Sequence, residues 1–296
     1  MTSEFKRNHF FRGPVLWLII AFFSLLHVNQ VFAWSLDLKK LKETAENIKH
    51  ASGKMSEEDE IEIGGLVTSN LLGAAPMVDN EALQRYVNNV GRWIALQSER
   101  PDLPWKFAVI ESNNINAFAA PGGHVVLTKG LFLSLNSEAE LAGVLGHEIA
   151  HVIQKHHLKA LQKNAKVNLL GDALQAAANN NSSKKDQKKL GKIINAGTQL
   201  YAKGLDREDE YEADRMGVVY AARAGYDPYA LLNVLLTLDS MSAESPQLGL
   251  LLKTHPPFKS RIQLLDINMD NRLNGFAGQL LLTDNLVSMQ LKLVAK

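Results

Sequence analysis

Cysteine is absent from all 296 residues. That absence removes disulfide frameworks, thiolate nucleophiles, cysteine zinc sites and acylation through cysteine. A bound metal would have to be held by His, Asp or Glu. Excess charge of either sign is also missing: the formal net charge is +1, without the basic footprint of a nucleic-acid binder. There is no long acidic or basic tail, and no internal repeat of about 20–50 residues that would mark a solenoid. What remains is a composition ordinary for a globular protein, 46% hydrophobic and 21% charged, with length for one large domain or two small ones.

The N-terminus reads as an address. Lys6, Arg7 and Arg12 precede PVLWLIIAFFSLL (Pro14 to Leu26), and VFA (Val31 to Ala33) offers small residues for cleavage. Residues 1–33 are therefore expected to be a secretory signal and the protein to be exported, most simply to a periplasm. The apolar run is shorter than the span of a bilayer, which favours cleavage over retention as an anchor. Residues 34–56 read as a polar helical lead-in, and 57–296 as the main domain with a short C-terminal extension. Removing 1–33 takes away three of the 32 basic and one of the 31 acidic residues, so the exported chain stays near neutral.

Apolar spacings of three and four predict amphipathic helices in EDEIEIGGLVTSNLLG and NEALQRYVNNVGRWIALQSE. WKFAVIES, INAFAAP and HVVLT read as three short strands joined by tight turns, with Gly122-Gly123 as a hairpin turn and His124 at the surface behind it. Past Leu131 the chain reads as helix. One helix is opened by a capping box of Ser137 and Glu140. A hairpin between Lys163 and Lys203 is interrupted by the polar loop NNNSSKKDQKK. DREDEYEADRMGVVYAARAG stops at Gly225, and DPYALLNVLLTLDSM starts with Pro228 at its first helical position. The expected fold class is α+β, mainly helical with a small three-stranded sheet.

LAGVLGHEIAHVIQKHH (Leu141 to His157) places four histidines and a glutamate in an otherwise apolar helix. His147 and His151 are one turn apart on the same face and can grip a single ion, with Glu148 beside them. Nitrogen ligands and an open position for water suit catalytic zinc, one ion per chain, although the same ligands would accept cobalt or nickel. The ion supplies Lewis acidity and lowers the pKa of its water; Glu148 is placed to take the proton and pass it to a leaving amine. Two histidines leave the third ligand open. His157 has the spacing of HExxHxxGxxH, but Gln154 stands where that pattern needs glycine to turn the chain. In a continuing helix His157 would lie about 15 Å along the axis from His147, so His156 and His157 read as surface residues near the helix end. Glu210 is the other candidate, with Asp214 four residues later to accept the free N–H of a ligand histidine. Glu208, Asp209 and Glu212 read as solvated acids complementing the helix dipole.

HEIAH followed by EYEAD resembles the gluzincin metallopeptidases of family forty-eight, the group that includes the CAAX prenyl endopeptidases and the periplasmic BepA-like proteases. DEIEIG, SERPDLPWKFAVIES, NAFAAPGGHVVLTKGL, NSEAELAGVLGHEIAHV and THPPFKSRI extend the resemblance over roughly Glu57 to Leu265. It implies zinc held by His147, His151 and Glu210, with Glu148 as general base and acid and Asp214 orienting a histidine. NAFA (Asn116, Ala117, Phe118, Ala119) is similar to the family's edge strand, on which substrate lies as an added strand, with Asn116 holding the substrate backbone. His255 resembles the family histidine that either stabilises the tetrahedral intermediate or closes on the zinc in a latent form, with Arg261 supporting that loop. From the residues alone, THPP is only a turn.

The sequence departs from the family in having Asp206 where serine is common. It also has no repeat array after the protease region and no apolar segment after the signal that would cross a membrane. The function expected is a zinc-dependent endopeptidase acting on unfolded or misassembled envelope proteins, with peripheral membrane association and oligomeric state left open and no nucleic acid. The alternative is a zinc-stabilised chaperone that binds clients and rarely cuts them; a small-molecule hydrolase is a third.

Overall fold

Local capping chemistry sets the first two helices. Ser56 caps α1 (Glu57–Ala74): its hydroxyl accepts from Asp59 N at 3.2 Å, and the Asp59 carboxylate accepts from Ser56 N at 3.3 Å. Asn80 caps α2 (Glu81–Ala95) by accepting from Leu83 N at 3.1 Å. Such caps contribute about 1 kcal/mol each. The computed structural model describes residues 56–162, 204–241, 245–255, 257–276 and 278–294. The signal expected at 1–33, the lead-in expected at 34–56 apart from Ser56, and the hairpin expected between Lys163 and Lys203 lie outside the described residues.

The sheet holds β1 (Lys106–Ile110), β2 (Ala117–Ala120) and β3 (His124–Thr128) in the order β1-β3-β2. β2 and β3 form the expected hairpin across Gly122 and Gly123, at φ +74° and +94°. β1 differs from expectation: it runs parallel to β3, on the side away from β2, so no tight turn joins β1 to β2. The far edge of β1 is sealed by amides one turn apart on α2. Gln84 bonds Val109 N at 2.9 Å and Val109 O at 2.8 Å, while Asn88 bonds the N and O of Phe107. Because β3 is central, every residue in it is buried. His124 is among them, not at the surface, with its Nδ1 at 3.3 Å from Pro121 O.

Helices follow. α3 (Lys129–Ser134) leads to α4 (Glu138–Ile153), buried from Glu138 to Val152. Ser137 Oγ accepts from Glu140 N at 3.1 Å as expected, but the Glu140 carboxylate reaches one residue further back, to Asn136 N at 2.7 Å. Only half of the capping box forms. Glu138 is buried because the hydroxyls of Tyr86 and Tyr226 both donate to it at 2.7 Å. α5 (Arg207–Arg223) has Asp206 at its N-cap without a side-chain capping bond. It stops before Gly225, at φ +92°. α6 (Ala230–Ser240) begins two residues later than Pro228 predicts. Pro228 lies in the turn ahead of it, where Asp227 accepts from Tyr229 N at 2.8 Å. A 3₁₀ turn (Pro246–Leu248), α7 (Leu251–Thr254), α8 (Phe258–Met269), a second 3₁₀ segment (Asp270–Phe276) and α9 (Thr283–Val294) complete the order. The architecture is α+β, mainly helical. No helix among the described residues is long and apolar enough to cross a membrane.

α4 and α5 cross backbone to backbone. A Cβ on Gly217 would lie 2.6 Å from His147 N, and one on Gly146 would lie 2.7 Å from Gly217 O. Both clashes are with main chain, which cannot swing aside. Gly217→Ala is therefore expected to lower the unfolding free energy by about 1–3 kcal/mol, read as a drop in denaturant midpoint. An unchanged midpoint would show that the helices do not meet at that distance.

Candidate metal centre

The crossing of α4 and α5 decides which side chains meet. His147, Glu148 and His151 project from α4, and Glu210 and Asp214 from α5. His147 Nε2 and His151 Nε2 are 3.0 Å apart. Glu210 Oε2 lies 3.6 Å from His147 Nε2, and its Oε1 lies 3.5 Å from His151 Nε2. His255, following α7, brings its Nε2 to 3.8 Å from Glu210 Oε2. His147, His151, Glu210 and His255 thus each offer a ligand atom within 4.8 Å of the others.

Glu210 carries the strongest sign of a cation. It is fully buried, and neither carboxylate oxygen has a hydrogen-bond partner. A buried carboxylate without compensation is costly and is normally paired or bound to metal. Zinc ligands at about 2.0–2.1 Å from an ion stand roughly 3.3 Å from one another in a tetrahedron. The observed spacings are within a few tenths of an ångström of that, and the donor set of imidazole nitrogens and a carboxylate is one zinc accepts. These residues fit a metal ion.

The electrostatics are set mostly by burial. Burial pushes Glu148 up to about 8, with the Arg261 charge opposing. Burial likewise holds Glu210 well above the carboxylate range; Arg261 opposes, and the charges of Asp214, Glu148 and Asp209 reinforce it. His147, His151 and His255 are all held below the usual imidazole value, first by burial. Asp214 is the exception. Burial would raise it, but Arg261 outweighs burial, helped by His147. Arg261, on α8, donates Nε to Asp214 Oδ2 at 2.8 Å and Nη2 to Oδ1 at 2.5 Å. Asp214 Oδ1 in turn lies 2.9 Å from His147 Nδ1. Arg261 thus grips Asp214, a partner the resemblance did not name. Thr254 Oγ1 lies 2.9 Å from His255 Nδ1.

Two cavities flank the cluster. One is lined by Ala117, Phe118, Glu148, His151, His157 and His255 among others. The second is walled by Val144, Leu231, Val234, Leu235, Leu251 and Phe258, and reaches Glu148 and Arg261. Ala117 and Phe118 of β2 are therefore on the cluster, whereas Ala119 lines neither cavity. Asn116 is buried. Its Oδ1 accepts from Ala117 N at 3.0 Å, and its Nδ2 has no partner.

His156 and His157 are not surface residues. Lys155 takes φ +58°, the chain turns, and helix resumes over 156–162. His156 is fully buried, with Nδ1 at 2.9 Å from His151 Nδ1. His157 is half-buried on the first cavity, outside the ligand cluster. Asp209 and Glu212 are not simply solvated, since both reach His156 Nε2, at 3.5 and 3.3 Å. The sequence carried no signal for the turn. Glycine or asparagine usually marks a left-handed residue, and here it is a lysine.

The profile described as Peptidase family M48 matches residues 81–268. The β-barrel assembly-enhancing protease of Escherichia coli O157:H7 is 32% identical over 268 residues, covering 88% of this chain and 52% of that protein. The same-named protein of Yersinia pestis is 32% identical over 218 residues, 72% of this chain and 44% of that one. The mitochondrial metalloendopeptidase OMA1 of Arabidopsis thaliana is 29% identical over 190 residues, 64% of this chain and 36% of that one. The chain spans about half the length of the bacterial relatives it matches.

A pH dependence follows for the metal-free protein. Above the ordinary imidazole value of 6.5 these histidines are neutral in both folded and unfolded chains. Glu148, raised to about 8, then keeps a proton when folded and releases it when unfolded, at an ordinary value of 4.5, and the upward shift of Glu210 acts in the same direction. The folded state binds more protons, so stability falls as pH rises. Denaturant midpoints of metal-free protein are expected to drop between pH 6.5 and about 8, less steeply in Glu148→Gln. Equal slopes in the two proteins would contradict the raised Glu148.

Proposed function

The chain belongs to peptidase family M48, and from that membership we propose that it is a zinc-dependent endopeptidase acting on unfolded or misassembled proteins of the cell envelope. The observation that carries the reading is the Glu210 carboxylate, both oxygens buried and unbonded, facing the Nε2 atoms of His147 and His151. The envelope role rests on similarity to the β-barrel assembly-enhancing proteases. The secretory signal expected at 1–33 from the sequence is in keeping with a periplasmic site of action.

His147, His151 and Glu210 would hold the ion. When bound, zinc polarises a substrate carbonyl and lowers the pKa of a water molecule. Asp214 accepts the His147 Nδ1 proton, keeping Nε2 as the lone-pair nitrogen, and Arg261 fixes Asp214 in turn. Glu148 takes the proton of the attacking water. Its buried carboxyl binds a proton more tightly than a solvated one, which makes it an effective base near neutral pH and lets it deliver the proton to the leaving amine. The peptide would lie along Asn116–Ala119, with Ala117 and Phe118 facing the Glu148 cavity and Asn116 Nδ2 available to a backbone carbonyl.

His255 favours a second reading. Its Nε2 stands among the ligand atoms, so it can close on the ion, as in a protein that holds clients rather than cutting them. One experiment separates the readings, using residues 34–296, unfolded casein as substrate and metal content measured alongside. Wild type is expected to cleave casein and Glu148→Gln to lose about 10²–10⁴-fold in rate while keeping about one zinc per chain. His255→Ala is expected to cleave faster than wild type. No cleavage by wild type or His255→Ala, with zinc fully bound, would replace the peptidase with the chaperone.

A further inference from the structure

His147 and His151 are supported differently. His147 Nδ1 meets a carboxylate directly, Asp214 Oδ1 at 2.9 Å. His151 Nδ1 meets another imidazole, His156 Nδ1 at 2.9 Å, with the rings edge-on at 73° and centroids 5.1 Å apart. Beyond it, His156 Nε2 lies 3.3 Å from Glu212 Oε2 and 3.5 Å from Asp209 Oδ1. Those two carboxylates flank Glu210 on the same first turns of α5.

Protons can be distributed along this chain in one way if His151 binds an ion through Nε2. Nε2 must then be a lone pair, so Nδ1 carries the proton and donates. His156 Nδ1 must accept it. A neutral His156 keeps its own proton on Nε2, where Glu212 and Asp209 are the acceptors. Every polar atom from His151 to the half-exposed Glu212 is then satisfied, although the His156 side chain itself is 0% exposed.

The backbone is bent to achieve this. In an uninterrupted helix a residue five positions after His151 would be rotated about 140° around the axis and face elsewhere. The left-handed Lys155, φ +58°, breaks the helix and returns the His156 ring over His151. A non-glycine residue in that conformation costs about 1–2 kcal/mol. Lys155 is tied down by its Nζ at 2.7 Å from Glu60 Oε2 and by donating its N–H to Val152 O at 3.1 Å.

We propose that His156 is the positioning residue for the ligand His151, accepting its Nδ1 proton and passing the orientation on to Glu212 and Asp209, as Asp214 does directly for His147. This rests on the reading of His151 as a metal ligand. Support of this kind is typically worth 10–100-fold in metal affinity.

The test measures zinc affinity by chelator competition for wild type, His151→Ala, His156→Phe and His156→Asn. His156→Phe fills the space without an acceptor and is expected to bind zinc about 10–100-fold more weakly. His156→Asn sets its Oδ1 near the place of Nδ1 and is expected to recover most of that loss. If wild type and His151→Ala bind zinc alike, the ligand reading itself fails. If only His151→Ala is impaired, with both His156 variants at wild-type affinity, the positioning role alone is overturned. Should a variant not fold, imidazole nitrogen NMR of zinc-loaded wild type decides. The expected state has His151 protonated at Nδ1 and His156 protonated at Nε2; a His156 proton on Nδ1 overturns the proposal.

Discussion

Everything at the candidate metal centre depends on two helices touching without side chains between them. Gly146 on α4 and Gly217 on α5 bring backbone to within a distance that a single methyl group would forbid. Helix axes ordinarily stand 8–10 Å apart, depending on the side chains at the contact. Glycine at both faces of a crossing removes that spacer. The crossing lies one residue from His147, so the following turn of α4 and the first turns of α5 face each other, and Glu210 falls opposite both imidazoles. Elsewhere the packing is conventional: α4 buries Leu141, Leu145 and Ile149 in the same core that takes Leu83, Val87 and Ile94 of α2.

The charges there form two compartments. Asp214 and Arg261 make a fixed, bidentate ion pair, each driving the other toward its charged form against burial. Beside it lie three imidazoles that burial pushes toward the neutral form and a carboxyl that burial pushes toward the protonated form. Neutral imidazoles are what a metal requires, because only the lone-pair form binds. The carboxyl is the opposite case. Burial raises the proton affinity of Glu210, and it must be ionised to meet a cation, so acid opposes metal binding there. Arg261 is only a partial partner for Glu210: its charge favours the ionised carboxylate, but its guanidinium makes no hydrogen bond to it. Its Nη1 stays 3.7 Å from Glu210 Oε2 while its hydrogen bonds go to Asp214.

How much of this was legible in the sequence depended on how far each signal reached along the chain. The α4 helix, its Ser137 cap and the pairing of His147 with His151 are consequences of local spacing, and they were readable. So were the Gly122-Gly123 hairpin and the E-x-x-x-D spacing that puts Glu210 and Asp214 on one face of α5. What was not readable depends on distant partners. Strand order is set by α2 amides sealing β1, and Gln84 and Asn88 look like ordinary helix-surface residues in sequence. His124 looks like turn-adjacent surface until α1 packs over it; a Cβ at Gly64 would stand 1.7 Å from Pro121 O. His156 was misread for a similar reason, since the bend that buries it occurs at a lysine. Arg261 was placed in the site through resemblance, but its partner was not.

The family profile begins at residue 81, yet the physical unit around the centre begins earlier. α1 supplies Glu60, which is fully buried and gathers four donors: two from Arg100, Gly122 N at 3.3 Å and Lys155 Nζ at 2.7 Å. Burial opposes its charge, and the paired cations overcome burial, so the carboxyl stays ionised. One carboxylate thus fixes the loop before β1, the β2–β3 turn and the bend after α4. The first two hold the strand that lines the cavity, and the third turns His156 onto His151. A buried carboxylate with two cations cannot lose one partner without leaving uncompensated charge, which is far more destabilising than losing a surface pair. α1, capped by Ser56, therefore acts on the centre through Glu60, which lines a pocket shared with His151 and His157.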